Sequence, residues 1–88
     1  MNFETLPSNP IHGGVQYLFK ADNGYGASIV RHSFSYGGPQ GLWELAVLKG
    51  EHLCYDTDIT DDVLGYLTEE EVNNLLVRIA NLPPVIND

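Results

Sequence analysis

The chain predicts an α+β fold: an antiparallel meander of about four strands with a C-terminal amphipathic helix packed on one face. Three observations predict it. From Val15 apolar and polar residues alternate on either side of an Asn23-Gly24 turn signal; Leu42–Leu48 is an almost unbroken apolar run; and beyond Leu67 the apolar period becomes that of a helix. The order of strands first and helix last suits a sheet covered on one side.

Residues 1–14, with Pro7, Pro10, Gly13 and Gly14, show no apolar period and read as an extended N-terminal arm ahead of a single domain over 15–82. Val15, Tyr17 and Phe19 point one way and Gln16 and Lys20 the other, the pattern of a half-buried strand. Asn23-Gly24 suits a two-residue type I′ turn, which needs positive φ at both central positions. That turn sets Asp22 opposite Tyr25, Tyr17 opposite Val30 and Phe19 opposite Ser28. Val15, Tyr17, Phe19, Val30 and Phe34 then share the core side of a hairpin whose second strand covers Tyr25–Phe34.

Ser35–Gly41 is a Gly/Pro-rich loop, and Leu42–Leu48 reads as a strand covered on both faces and interrupted only by Glu44. Gly50-Glu51 can form a tight turn into a short fourth strand at His52–Tyr55. Thr60–Gly65 reads as a single capped helical turn ended by glycine. Thr68 can then cap a helix, with Glu71 closing a capping box and Leu67 stapling onto Val72. Val72, Leu75, Leu76 and Ile79 form its apolar stripe, leaving Glu70, Asn73, Asn74 and Arg78 wet. Pro83 and Pro84 stop the helix, and 83–88 is a tail.

Charge is distributed unevenly. The net charge of −8 belongs to the second half: three acids face three bases in residues 1–49, whereas nine acids face Arg78 alone in residues 50–88. Asp56, Asp58, Asp61, Asp62, Glu69, Glu70 and Glu71 fall within sixteen residues. Such a segment attracts a protein partner with a basic surface and disfavours nucleic acid and anionic membrane. Two readings of it stay open. Carboxylates in the first turns of helices are favoured by the helix dipole whatever the function, and the same carboxylates could face a partner, in one version standing in for nucleic-acid phosphates. The loop aromatics Phe34 and Tyr36 are the second candidate contact, because aromatic side chains dominate interface anchors.

Other chemistry is thin. An EF-hand count from Asp58 through Asp62 to Glu69 fails at Val63, where the sharp bend calls for glycine, and His52 with Cys54 lacks further converging ligands, so no metal and no cofactor is expected. Cys54 with His52 or His32 could be drawn as nucleophile and base, but no third orienting group or oxyanion element accompanies them. A lone cysteine excludes an internal disulfide framework and suits a reducing compartment; no apolar run reaches membrane-spanning length and the start lacks a signal-peptide pattern, so a cytoplasmic location is expected.

Three stretches carry a resemblance: Asn23-Gly24-Tyr25-Gly26-Ala27-Ser28-Ile29-Val30-Arg31-His32-Ser33-Phe34-Ser35-Tyr36-Gly37, Gly41-Leu42-Trp43-Glu44-Leu45-Ala46-Val47, and Ile59-Thr60-Asp61-Asp62-Val63-Leu64-Gly65-Tyr66-Leu67-Thr68. Together they resemble a family of short uncharacterised bacteriophage and prophage proteins. The resemblance implies a phage gene expressed in the cytoplasm of a bacterial host, and it carries over no site residues. The expected function is that of a non-catalytic accessory protein that binds a host or phage protein through Asp56, Asp58, Asp61, Asp62, Glu69, Glu70, Phe34 and Tyr36. The alternatives are a virion-associated or self-assembling structural protein, with copies joined through exposed strand edges, and a small hydrolase using Cys54.

Overall fold

The computed structural model describes residues 2–54, 56–60 and 62–85. It is an α+β protein in which one antiparallel sheet carries one C-terminal helix. In chain order the strands are β1 (Ser8–Ile11), β2 (Gly14–Lys20), β3 (Tyr25–Arg31), β4 (Trp43–Lys49), β5 (His52–Leu53) and β6 (Leu64–Leu67), followed by α1 (Glu69–Ala80). The first four lie side by side in chain order, and β5 and β6 share the outer edge of β4. The core lies between the sheet and α1, where Phe3, Phe19, Ala27, Ile29, Trp43, Leu45, Val47, Leu67, Val72, Leu76 and Ile79 form one buried cluster.

The helix forms as its sequence requires. Thr68 accepts from Glu71 N and Glu71 reaches back to Thr68 N, the reciprocal box that satisfies two orphan donors of the first turn. Val72, Leu76 and Ile79 are fully buried, Leu75 lies at the margin of the stripe, and Leu67 and Val72 meet in the same cluster. Asn73, expected to be wet, is half-buried and accepts from Phe3 N at 3.0 Å.

Three expectations are corrected. First, residues 2–14, read as part of an extended N-terminal arm, are built into the core and the sheet. Residues Phe3–Thr5 form a 3-10 turn that seats Phe3 at 0% exposure against Trp43 and Tyr17, and β1 pairs with β2 from Ser8↔Tyr17 to Ile11↔Gly14. The turn between them is His12-Gly13, with φ of 47° and 77°, so the two-residue turn with paired positive φ occurs here.

Second, the Asn23-Gly24 turn is one residue longer than expected. Observed pairs are Tyr17↔Ile29, Phe19↔Ala27 and Lys20↔Gly26, and Ala21 N donates to Tyr25 O at 2.8 Å, which leaves the three residues 22–24 in the loop. Within that loop only Gly24 has positive φ, at 91°. A one-residue shift exchanges the faces of the whole strand. Ala27 and Ile29 therefore enter the core, Val30 is buried on the opposite face beside Gln16 and Glu44, and Phe34 lies beyond the strand at 80% exposure. Asn23 supplies the cause: its amide donates to Ile79 O at 2.8 Å and Leu82 O at 3.0 Å, while its Oδ1 accepts from Tyr25 N at 3.0 Å. The turn is tied to the C-terminal end of α1.

Third, Leu64 and Gly65, read as the end of a helical turn over 60–65, are strand, while Asp61 of that turn lies outside the described residues. Leu64–Leu67 is strand, pairing Trp43↔Leu67 and Leu45↔Leu64 with a bulge between them. The free edge of β4 offers ladder partners for this segment and buries Leu67, which a local turn could not do. Gly65, expected as a helix cap, is a bulge glycine: a Cβ there would lie 2.5 Å from that of Tyr36. With β1 and β6 the antiparallel sheet has six strands among the described residues, where the sequence indicates about four.

Candidate protein-binding surface

The loop after β3 is short, glycine-rich and internally bonded. Ser35, at 6% exposure, donates its hydroxyl to His32 O at 3.0 Å and accepts from His32 N at 3.0 Å. Phe34 N donates to His32 Nδ1 at 3.1 Å, and Tyr36 N donates to Glu44 Oε1 at 3.1 Å. From the other side Tyr66 N donates to Tyr36 O at 3.1 Å. Gly37, with φ of 89°, lies so close to β6 that a Cβ would meet Tyr66 Cα at 2.8 Å. A side chain there would prop the loop off the sheet.

These bonds hold three aromatic side chains outward: Phe34 at 80% exposure and Tyr36 and Tyr66 at 59% each. The rings of His12 and His32 lie 5.0 Å apart, and His12 meets Phe34 edge-on at 5.7 Å. Arg31 lies 4.3 Å over the Trp43 ring at the same end of the sheet, closing the core beneath the loop. Large apolar rings left in water on a fixed backbone form an anchor surface with little conformational entropy left to lose on binding.

Of the sequence-derived acidic residues, Asp56, Asp58, Asp62, Glu69 and Glu70 are all exposed, and Asp61 lies outside the described residues. They do not form one cluster. Cys54 N donates to Val47 O near one end of β4, and Leu67 pairs with Trp43 at the other, so Asp56 and Glu69 flank opposite ends of a separation of roughly 13 Å along the strand. The acids line the β5/β6 edge. Glu69, Glu70 and Glu71 occupy the first turn of α1, where the dipole accounts for them. Asp62 has no helix behind it; its Oδ1 accepts from Val63 N at 2.7 Å, and Thr60 donates to its carbonyl at 2.7 Å. The helix-start explanation of the acidic run therefore covers the Glu69–Glu71 end and not Asp56, Asp58 or Asp62.

Cys54 is buried and donates its thiol to Asp56 Oδ1 at 2.8 Å. Burial, with that hydrogen bond, raises the thiol pKa, and accepting the bond lowers that of Asp56. A protonated thiol on a carboxylate is the reverse of an activated nucleophile. An open cavity of about 680 Å³ beside it is bordered by Asp22, Asn23, Lys49, His52, Cys54 and Asp56, an even mixture of acid and base. Among the described residues no three His, Cys, Asp or Glu side chains converge on a metal position, and no helix is long and apolar enough to cross a membrane.

The sequence pointed to Phe34 and Tyr36, offered His32 only as a partner for Cys54, and missed Tyr66 and His12. A helical reading of 60–65 hid Tyr66. His12 is carried by a hairpin whose first strand, Ser-Asn-Pro-Ile, has little strand propensity of its own.

Fold and surface together define a small two-layer α+β protein with an aromatic pole and an acidic edge. No family model, curated protein or solved structure matches the chain.

Proposed function

We propose that this is a non-catalytic accessory protein that binds another protein, with Phe34, Tyr36 and Tyr66 as anchors and the acidic edge steering a partner with a basic surface. The observation that carries the reading is Phe34: a phenyl ring at 80% exposure on a loop whose backbone is fixed by Ser35, His32 and Glu44. A core residue would be covered and a random surface position would not need such support. Asp56, Asp58 and Asp62 support the second part, since the folding of a helix does not explain them. The resemblance to bacteriophage and prophage proteins sets the proposed context, a bacterial host cytoplasm in which the partner is a host or phage protein.

Affinity capture with the wild-type chain, followed by binding kinetics on the partner retained, tests this. Phe34→Ala should leave the melting temperature nearly unchanged and weaken binding by about 2 kcal/mol or more, roughly thirtyfold. The pair Asp56→Asn with Asp58→Asn should lower the association rate constant several-fold and flatten its salt dependence. Binding indifferent to Phe34→Ala, Tyr36→Ala and salt would refute the proposal.

A further inference from the structure

Strand alternation places a second set of side chains on the face of the sheet turned away from α1. The register assigns to it Gln16, Leu18 and Lys20 of β2, Gly26, Ser28 and Val30 of β3, and Glu44, Ala46 and Leu48 of β4. Leu53 of β5, 56% exposed, lies beside Leu48. Leu18, Val30, Ala46, Leu48 and Leu53 are all absent from the core cluster beneath α1, and of these Val30 and Ala46 are buried between their neighbours, so the apolar area offered to solvent comes from half-buried Leu18 and Leu48 and from Leu53. At its centre Gln16 Nε2 donates to Ser28 Oγ at 2.9 Å, which lowers the cost of removing both from water.

Among the described residues that the register assigns to this face two are charged, Lys20 and Glu44, and they sit at opposite corners. Lys20 shares a row with Gly26 and Leu48, and Glu44 shares a row with Val30 and Gln16, so the two are two strands apart and four residues apart along the sheet. With Glu44 Oε1 held by Tyr36 N, its other oxygen is left for an incoming cation. The face is neutral in a chain of net charge −8, so copies meeting here avoid the repulsion met over the acidic edge.

We propose that this face is a self-association surface, on which a second copy of the chain packs about a two-fold axis lying in the interface, Lys20 of each copy meeting Glu44 of the other. An isologous contact requires every pairing to occur twice, and a diagonal pair of opposite charges satisfies that condition. On the sheet lattice the same axis sets Leu18 over Val30 of the second copy and the Leu48/Leu53 corner over itself. The strands of the two sheets then cross at roughly 70°, near the orthogonal class of sheet packing. The patch spans three strands and four residues, roughly 10 Å by 13 Å, well short of the roughly 800 Å² that a standard interface takes from each partner, so the dimer is weak and concentration-dependent. It does not use the acidic edge and adjoins the aromatic loop only at Glu44, which holds Tyr36 N; because Lys20 and Leu53 lie away from that loop, failure of the dimer would leave the protein-binding proposal standing.

Sedimentation equilibrium from about 10 µM to about 1 mM covers the affinities expected of so small an interface. The wild type should dimerise within that range. Lys20→Glu should raise Kd roughly tenfold or more by setting like charges together, and an equimolar mixture of Lys20→Glu with Glu44→Lys should restore association to within about threefold of wild type. Circular dichroism checks that both variants fold; should Glu44→Lys fail for loss of the Tyr36 contact, Leu53→Lys, at an exposed position, should abolish the dimer alone. A wild type monomeric throughout, a Kd unmoved by Lys20→Glu or Leu53→Lys, or a mixture of two folded variants that does not re-associate would each overturn the proposal.

Discussion

Asn23→Asp should destabilise the protein despite its identical shape. The carboxylate keeps the acceptor for Tyr25 N but loses both donors, to Ile79 O and Leu82 O, and sets a negative charge against the carbonyl end of α1. Two partly buried hydrogen bonds at about 0.5–1.5 kcal/mol each, with about 0.3–1 kcal/mol of unfavourable dipole interaction, sum to on the order of 2–3 kcal/mol. A chain of this size has about 4–13 kcal/mol in all. With a urea m-value near 1 kcal/mol/M the unfolding midpoint should fall by about 2–3 M. Asn23→Ala should also lower it, having lost all three bonds, whereas Asn74→Ala on the exposed face of α1 should not. Acidification should restore part of the loss in Asn23→Asp alone, because the folded state disfavours its charged form. If Asn23→Asp matches Asn74→Ala across pH, the turn is not anchored to the helix as described.

Two further outcomes bear on the core and on Cys54. Leu76→Ala should cost about 2–5 kcal/mol in urea unfolding and Leu75→Ala clearly less, since Leu76 is 0% exposed and Leu75 only half-buried; equal shifts would contradict the position of the apolar stripe. Because its folded pKa is raised, the protonated Cys54 thiol contributes stability that is present below the ordinary thiol range and lost as pH rises through the folded value, while Asp56 contributes above the ordinary carboxylate range and loses it as pH falls. Iodoacetamide should therefore alkylate the native thiol far more slowly than the urea-unfolded one at neutral pH; equal rates would show that the thiol is neither buried nor held protonated.

The elements legible in advance were those specified by neighbours in sequence. Thr68 and Glu71 build their capping box within one turn, and the stripe from Val72 to Ile79 repeats at helical spacing, so α1 needed no tertiary information. The apolar run of β4 likewise announced a strand, read as covered on both faces; α1 covers one face, and the other carries the half-buried Glu44 and Leu48. Phe34 and Tyr36 were visible as aromatics in a Gly/Pro-rich loop, but their exposure was not: a two-residue turn at Asn23-Gly24 would have counted Phe34 with the core. The acidic run was plain as composition, and its extension along one edge was not.

By itself, then, the sequence determined an α+β chain, the helix with its caps, the apolar strands and the excess of acid in the second half, because periodicity, capping and charge are properties of short stretches. Tertiary structure alone decided the hairpin register, where Asn23 found its partners 56 and 59 residues away in Ile79 and Leu82. It also decided that Leu64–Leu67 is a strand, since the edge of β4 supplies hydrogen bonds to a segment whose local signals favoured a helical turn. Phe3 is buried for the same reason: Trp43, Tyr17 and Asn73, which receive it, are distant in the chain and meet only once the sheet and helix have closed. Contacts of that separation leave no periodic trace in a sequence, because the partner's position, and not the spacing of the segment's own residues, is what stabilises it.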